Sequence, residues 1–108
     1  MTIPTIGRIV HYTLSATDVS TMAARRGTSA GSLHGNSLAE GDVYPMMIVR
    51  VWSPGNPTAA VNGQVYLDGD DILWVTSVCV GTGVRTFAWP VREAPRVPGM
   101  ERIASTEG

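Results

Sequence analysis

Arginine, aromatic and amide side chains are the residues of this chain best suited to chemistry. Arg8, His11 and Tyr12 fall in one short run, Arg25 and Arg26 in a second, and His34 and Asn36 in a glycine-containing stretch. Arg50 and Trp52 stand two positions apart in a third run, followed by Asn62 and Gln64. The segment "LWVTSVCVGTGVRTFAWP" (73–90) then sets Trp74, Thr76 and Ser77 ahead of Arg85 and Trp89. Side chains of these types hold anionic ligands that contain a base: rings stack, guanidinium groups take phosphate in a planar fork, and amides read edges. Arg50, Arg8 and His11 are the first candidates for phosphate contact, with Asn62, Gln64, Thr76 and Ser77 for polar recognition. Tyr12, Trp74 and Trp89 fit a core better than a ligand surface, and arginines at a helix end also complement the helix dipole. Arg50 sits within an apolar run, so it must emerge at a surface or meet a partner such as Asp42 or Asp68.

Other chemistries lack their residues. His11 and His34 stand alone, without a cysteine pair or a second histidine at ligand spacing, so no zinc site is expected. "DGDD" (68–71) lacks the remainder of an oxygen-ligand calcium loop and reads as a solvated turn. No Gly-x-Ser-x-Gly elbow occurs, and a chain without lysine has no Walker-type phosphate loop. No cofactor and no enzymatic activity are therefore expected. The eight basic residues, all arginine, nearly balance nine acidic ones, which leaves no broad footprint for duplex nucleic acid. The single cysteine, Cys79, excludes an internal disulfide and reads as a buried thiol in an apolar strand. No apolar run has the length of a membrane span, and "MTIPTIGR" does not resemble a secretory leader, so a cytosolic protein without a membrane partner is expected.

The elements that must position these residues are mostly strands. At 108 residues the chain suits one domain, read here as residues 1–92, with a Pro-rich extended or mobile tail over 93–108. "IGRIVHYTL" (6–14) is rich in β-branched and aromatic residues and reads as a first strand. Ser15 and Asp18 form a capping box ahead of Val19, Met22, Ala23 and Arg26 at helical spacing, predicting a short helix over about 15–26. Residues 27–40 are small and polar, an irregular loop of a length that is often functional. "VYPMMIVRVWS" (43–53) is the strongest strand, with Met47, Val49 and Val51 on one face and Met46, Ile48, Arg50 and Trp52 on the other. In "VNGQVYLDG" (61–69), Val61, Val65 and Leu67 alternate with a polar stripe of Asn62, Gln64, Tyr66 and Asp68.

The segments "ILWVTSVCV" and "RTFAWPV" predict a hairpin turning at "GTG". In it Trp74 shares a face with Thr76 and Val78, and Trp89 alternates with Arg85 and Phe87, so that one of the two rings borders a polar pocket. About five strands and one inserted helix predict a mainly β fold, a small antiparallel barrel or strongly twisted sheet, SH3-like or OB-like.

The strings "IGRIVHYTL", "GDVYPMMIVRVW", "NGQVYLDG" and "WVTSVCVGTG…WP" resemble a group of small proteins encoded in tailed-bacteriophage genomes. The likeness spans roughly residues 5–91, and the insert "MAARRGTSAGSLHGNSLAEGD" is shorter here than in that group. The resemblance implies a phage origin and supplies no mechanism. Small non-enzymatic phage proteins either act in the infected cell, binding a host protein or sequestering a defence signal, or form part of the virion. The residue types rank first a protein that binds a small nucleotide-derived anion or a host factor in the cytoplasm of the infected host. A virion accessory, in capsid decoration or the tail, ranks second. Homo-oligomers are expected in either case, since 44% hydrophobic residues and a second strand apolar on both faces exceed what so small a barrel covers.

Overall fold

The computed structural model describes residues 2–28 and 34–91. Five strands and one helix follow in the order β1 (Ile9–Thr13), α1 (Ala16–Thr28), β2 (Val43–Val51), β3 (Val61–Tyr66), β4 (Ile72–Val78) and β5 (Phe87–Ala88). All five strands belong to one antiparallel sheet in the order β4-β3-β2-β1-β5. The fold is thus mainly β, as expected, with the last strand returning beside the first. The sheet does not close into a barrel; among the described residues a parallel bridge from Val80 to Phe87 brings the chain beyond β4 to β5. The expected tail over 93–108 lies outside the described residues, as does the part of the 27–40 loop over 29–33.

Local sequence explains the helix. Ser15 Oγ accepts the Asp18 backbone N–H at 3.1 Å while Asp18 Oδ2 accepts the Ser15 N–H at 3.0 Å, the reciprocal pair of a capping box. Tyr12, from the end of β1, donates its hydroxyl to the same Asp18 carboxylate. Strand and helix are therefore fixed to one another through a buried tyrosine. The core lies between the inner face of the sheet and α1, with Val10, Tyr12, Leu14, Met22, Met46, Ile48, Val61, Val65, Val78 and Phe87 fully covered. Gly63 is needed within it: a Cβ there would stand 2.4 Å from Cγ and Sδ of Met46.

Three expectations are corrected. β4 and β5 are not an antiparallel hairpin. Beyond Val78 the chain accepts the Phe87 N–H at the Cys79 carbonyl and donates the Gly81 N–H to the Phe87 carbonyl, while β5 pairs antiparallel with β1. The cause lies in Ser77 (φ 55°) and Arg85 (φ 57°), whose left-handed backbones turn the segment into a wide loop where a tight turn was read. The kink at Ser77 also puts Val78 in the core and away from the face of Trp74. β2, secondly, does not alternate throughout, because its register against β3 shifts between Ile48 and Arg50. Val49 is the extra residue of a β-bulge, so Arg50 and Trp52 face opposite to Met46 and Ile48. Cys79, finally, is exposed, because it follows the kink.

Candidate functional site

The β-bulge produces the best-defined cluster of chemistry-bearing residues. Arg50 and Trp52 share the outer face at the end of β2, with the guanidinium carbon 3.9 Å from the indole centroid. Trp52 is anchored in turn: its Nε1–H donates to Asn62 Oδ1 at 3.0 Å, and the same oxygen accepts the Ser77 backbone N–H at 2.9 Å. Asn62 is buried because Trp52 and the kinked end of β4 cover it. One amide oxygen thus holds the indole just beyond β2 against the left-handed backbone of β4 at Ser77. Arg50 takes part in neither of the ion pairs found among the described residues, Arg26–Asp71 and His34–Asp70. Its planar donors are aimed by the ring beneath and lie open to solvent, the form of site that suits an anion with a flat portion.

A second arginine–tryptophan pair lies on the other side of the sheet. Arg8 stands 4.9 Å from the Trp89 centroid, and Trp89 packs edge-on against buried Phe87 with centroids 5.8 Å apart. The Arg8 carbonyl accepts the Ile48 N–H, so Arg8 is opposite Ile48 on the inner-facing phase of the strands. Arg8 and Arg50 therefore flank one end of the sheet from opposite faces and do not share a pocket. His11 is farther away: opposite Pro45, it lies five residues along β2 from Arg50, roughly 17 Å at strand rise. The trio Arg50, Arg8 and His11 is not brought together.

Of the two rings in question, Trp74 is 59% exposed and Trp89 is half-buried against the core. They are not both core, as expected, but the polar groups do not gather beside either. Gln64 is the cross-strand neighbour of Trp74, and on the outer face these two continue a row through Met47 to Ile9. Tyr66, Ile72 and Val43 are likewise exposed. The polar stripe read on β3 alternates with buried Val61, Val65 and Leu67 as expected, but Asn62 is covered and Gln64 half-buried, and exposed apolar side chains stand beside it. Thr76 is half-buried and its carbonyl accepts from Arg85 at 3.1 Å.

The loop candidates divide by role. Arg26 grips both oxygens of buried Asp71, Nε to Oδ2 at 2.8 Å and Nη2 to Oδ1 at 2.9 Å, and donates Nη1–H to the Asn36 carbonyl at 2.8 Å. Its charge is already compensated, and the Asp71 carboxyl is held below its ordinary pKa by the bond to Arg26. Asn36 and His34 bind the "DGDD" turn: Asn36 Nδ2 donates to Asp68 at 2.9 Å and the His34 N–H to Asp70 at 2.7 Å. Gly35 and Gly69 form a bridge between the two segments, so close that a Cβ on Gly69 would lie 2.5 Å from the His34 carbonyl oxygen. Arg25 contacts Met22 Sδ at 3.7 Å. Beside Arg26 runs a groove of about 290 Å³ lined by Val19, Ala23, Gly35, Ser37 and Leu38, which offers no second charged group. Sequence reasoning missed Asp71 as a partner for Arg26, because the pair is 45 residues apart and no local pattern announces it.

Among the described residues no cluster of three His, Cys, Asp or Glu side chains stands ready for a metal ion, and no helix is long and apolar enough to cross a membrane. No protein-family model, curated protein or solved structure matches the chain.

Proposed function

We propose that this is a non-enzymatic bacteriophage protein that holds a small anionic, nucleotide-like ligand at Arg50 and Trp52 and acts in the infected cell by sequestering a host defence signal. The observation that carries the reading is the Arg50 guanidinium, free of any acidic partner among the described residues, lying on an indole that Asn62 fixes in place. A phosphate takes the fork of Arg50, and a base stacks on the remaining open surface of Trp52, which is 48% exposed. Asn62 acts here as a positioning residue, since its oxygen is already shared between Trp52 and Ser77. The phage setting rests on the likeness of residues 5–91 to small phage proteins.

A second reading is a virion accessory or a binder of a host protein. The exposed apolar side chains of the outer face, Ile9, Tyr66, Ile72 and Trp74, favour it, because exposed apolar surface marks contact with a macromolecule. Thermal-shift titration of the purified chain with cyclic dinucleotides, cyclic trinucleotides and ADP-ribose separates the two. A ligand at about a hundred times its Kd stabilises the fold by about 2.7 kcal/mol, and Trp52→Ala should weaken binding roughly tenfold or more while the circular dichroism spectrum is kept. No shift with any of these compounds, together with co-purification of the chain with virions, would overturn the ligand reading in favour of the structural one.

A further inference from the structure

The two edges of the sheet are unlike. β5 is two residues long and is followed at Pro90 by a residue with no backbone donor, so it offers nothing on which another strand can build. β4 is seven residues long and pairs only with β3. From Ile72 to Val75, among the described residues, no backbone bond reaches its outer edge; the first cover is Arg85 on the Thr76 carbonyl, and the Ser77 kink comes next. "ILWVT" (72–76) contains no charge, proline or glycine, and Ile72 and Trp74 are 46% and 59% exposed. Proteins that stay monomeric blunt such an edge with lysine, proline or a bulge. Here the blunting devices begin only where the five-residue stretch ends.

We infer that two copies of this chain join antiparallel along β4, edge to edge about a two-fold axis at Trp74, into one continuous ten-stranded sheet. Copy-to-copy pairing follows from the asymmetry of the edges. A head-to-tail contact would need β5 as acceptor, which is too short, whereas an antiparallel strand is complementary to itself. The stretch without charge, proline or glycine runs from residue 72 to residue 76 and so has Trp74 at its centre, with the Arg85 bond to the Thr76 carbonyl marking its last residue. Pairing there sets Ile72 beside Thr76 of the second copy, and Trp74 beside Trp74, on the outer face. Leu73 meets Val75 on the inner face, extending the apolar core. A stretch without charges meets its own copy with no repulsion, a condition that a basic or acidic edge would fail.

The pairing brings the two Trp74 Cα atoms to about 4.5–5.5 Å, within the span of a disulfide. The test uses the full chain carrying Cys79→Ser, with Trp74→Cys or Ile9→Cys added separately. Ile9 lies on the same outer face, on the far side of β2 and β3, and so reports face-to-face stacking of copies. The expected results are a species of twice the 11.5 kDa chain mass by sedimentation equilibrium, rapid cross-linking of the Trp74→Cys variant under mild oxidation, and none at Ile9→Cys. Trp74→Lys should raise the dimer dissociation constant at least tenfold while leaving the far-ultraviolet spectrum unchanged. A strictly monomeric parent chain would overturn the inference, as would cross-linking at residue 9 and not at residue 74. Nucleotide binding at Arg50 with a monomeric chain would overturn it while leaving the ligand reading intact.

Discussion

Replacing Asp71 by alanine should destabilise the fold more than any other single change to a charged group among the described residues. The Asp71 side chain is 4% exposed and that of Arg26 15%, and both carboxylate oxygens accept from the guanidinium. Removing one member of a buried pair leaves the other charge without compensation, at a cost of about 3–5 kcal/mol. Arg26 keeps its bond to the Asn36 carbonyl and some solvent, which places the expected loss near the lower limit, about 3 kcal/mol. The guanidinium cannot readily swing out, since it lies over Gly35 and Gly69. With a urea slope of about 1–3 kcal/mol per molar, the denaturation midpoint should fall by roughly 1–3 M, read by tryptophan fluorescence and circular dichroism. The double change Arg26→Met with Asp71→Leu should recover most of that loss, because an apolar pair has no charge to compensate. A midpoint for Asp71→Ala within about 0.3 M of the parent would refute the reasoning. The pH dependence has a definite sign. Because the folded pKa of Asp71 lies below its ordinary value of 3.8, the pair's contribution is complete above that value and is lost as pH falls through the depressed folded pKa. Acid titration of the Asp71→Asn variant should lack that part of the loss.

Tyr12→Phe removes the buried donor to Asp18 and should cost about 1–2 kcal/mol in urea denaturation. Burial first, and then the bond to Asp18, hold the Tyr12 hydroxyl well above its ordinary pKa of 10.0, so the parent should lose stability as pH rises above that value and Tyr12→Phe should lose less. Gly63→Ala drives a methyl into Met46 and should destabilise by about 1–3 kcal/mol, with Met46→Ala restoring part of the loss in the double variant. Asn62→Ala leaves the Trp52 and Ser77 N–H groups without their shared acceptor; a loss of about 1–3 kcal/mol and a red-shifted tryptophan emission are expected.

What could be read from the chain was whatever local pattern encodes. The capping box at Ser15 and Asp18, the β-branched runs of β1 and β2, and the alternation of β3 all announce themselves within a few residues, and strands and helix appear close to where they were expected. Arg50 and Trp52 were correctly placed on one face, since two-residue spacing survives the bulge. The failures come from two sources. Strict period-two reading has no means of seeing a bulge, so the face shared by Arg50 with Ile48 was wrong, and the kink at Ser77 displaced Val78 and Cys79. Long-range pairing is the other source: neither the grip of Arg26 on Asp71 nor the anchoring of Trp52 by Asn62 follows from spacing, because each depends on how strands register. The alternation of β3 gives the polar stripe but not its setting: Asn62 is covered, and Ile72 and Trp74 of the neighbouring strand stand exposed beside it.

The extra residue at Val49 has a consequence for how this surface changes over generations. Substitutions along β2 alter one side chain at a time, and losing Val49 alone would set Arg50 directly after Ile48, still opposite Asn62, and leave a regular ladder with Arg50 and Trp52 outward and Val51 inward. β2 therefore behaves like two reading frames spliced at Val49. A codon deletion at Val49 should therefore spare the fold where one at Met47 would turn buried Ile48 outward, and point changes of Val49, 40% exposed and outside the regular register, should pass almost unnoticed.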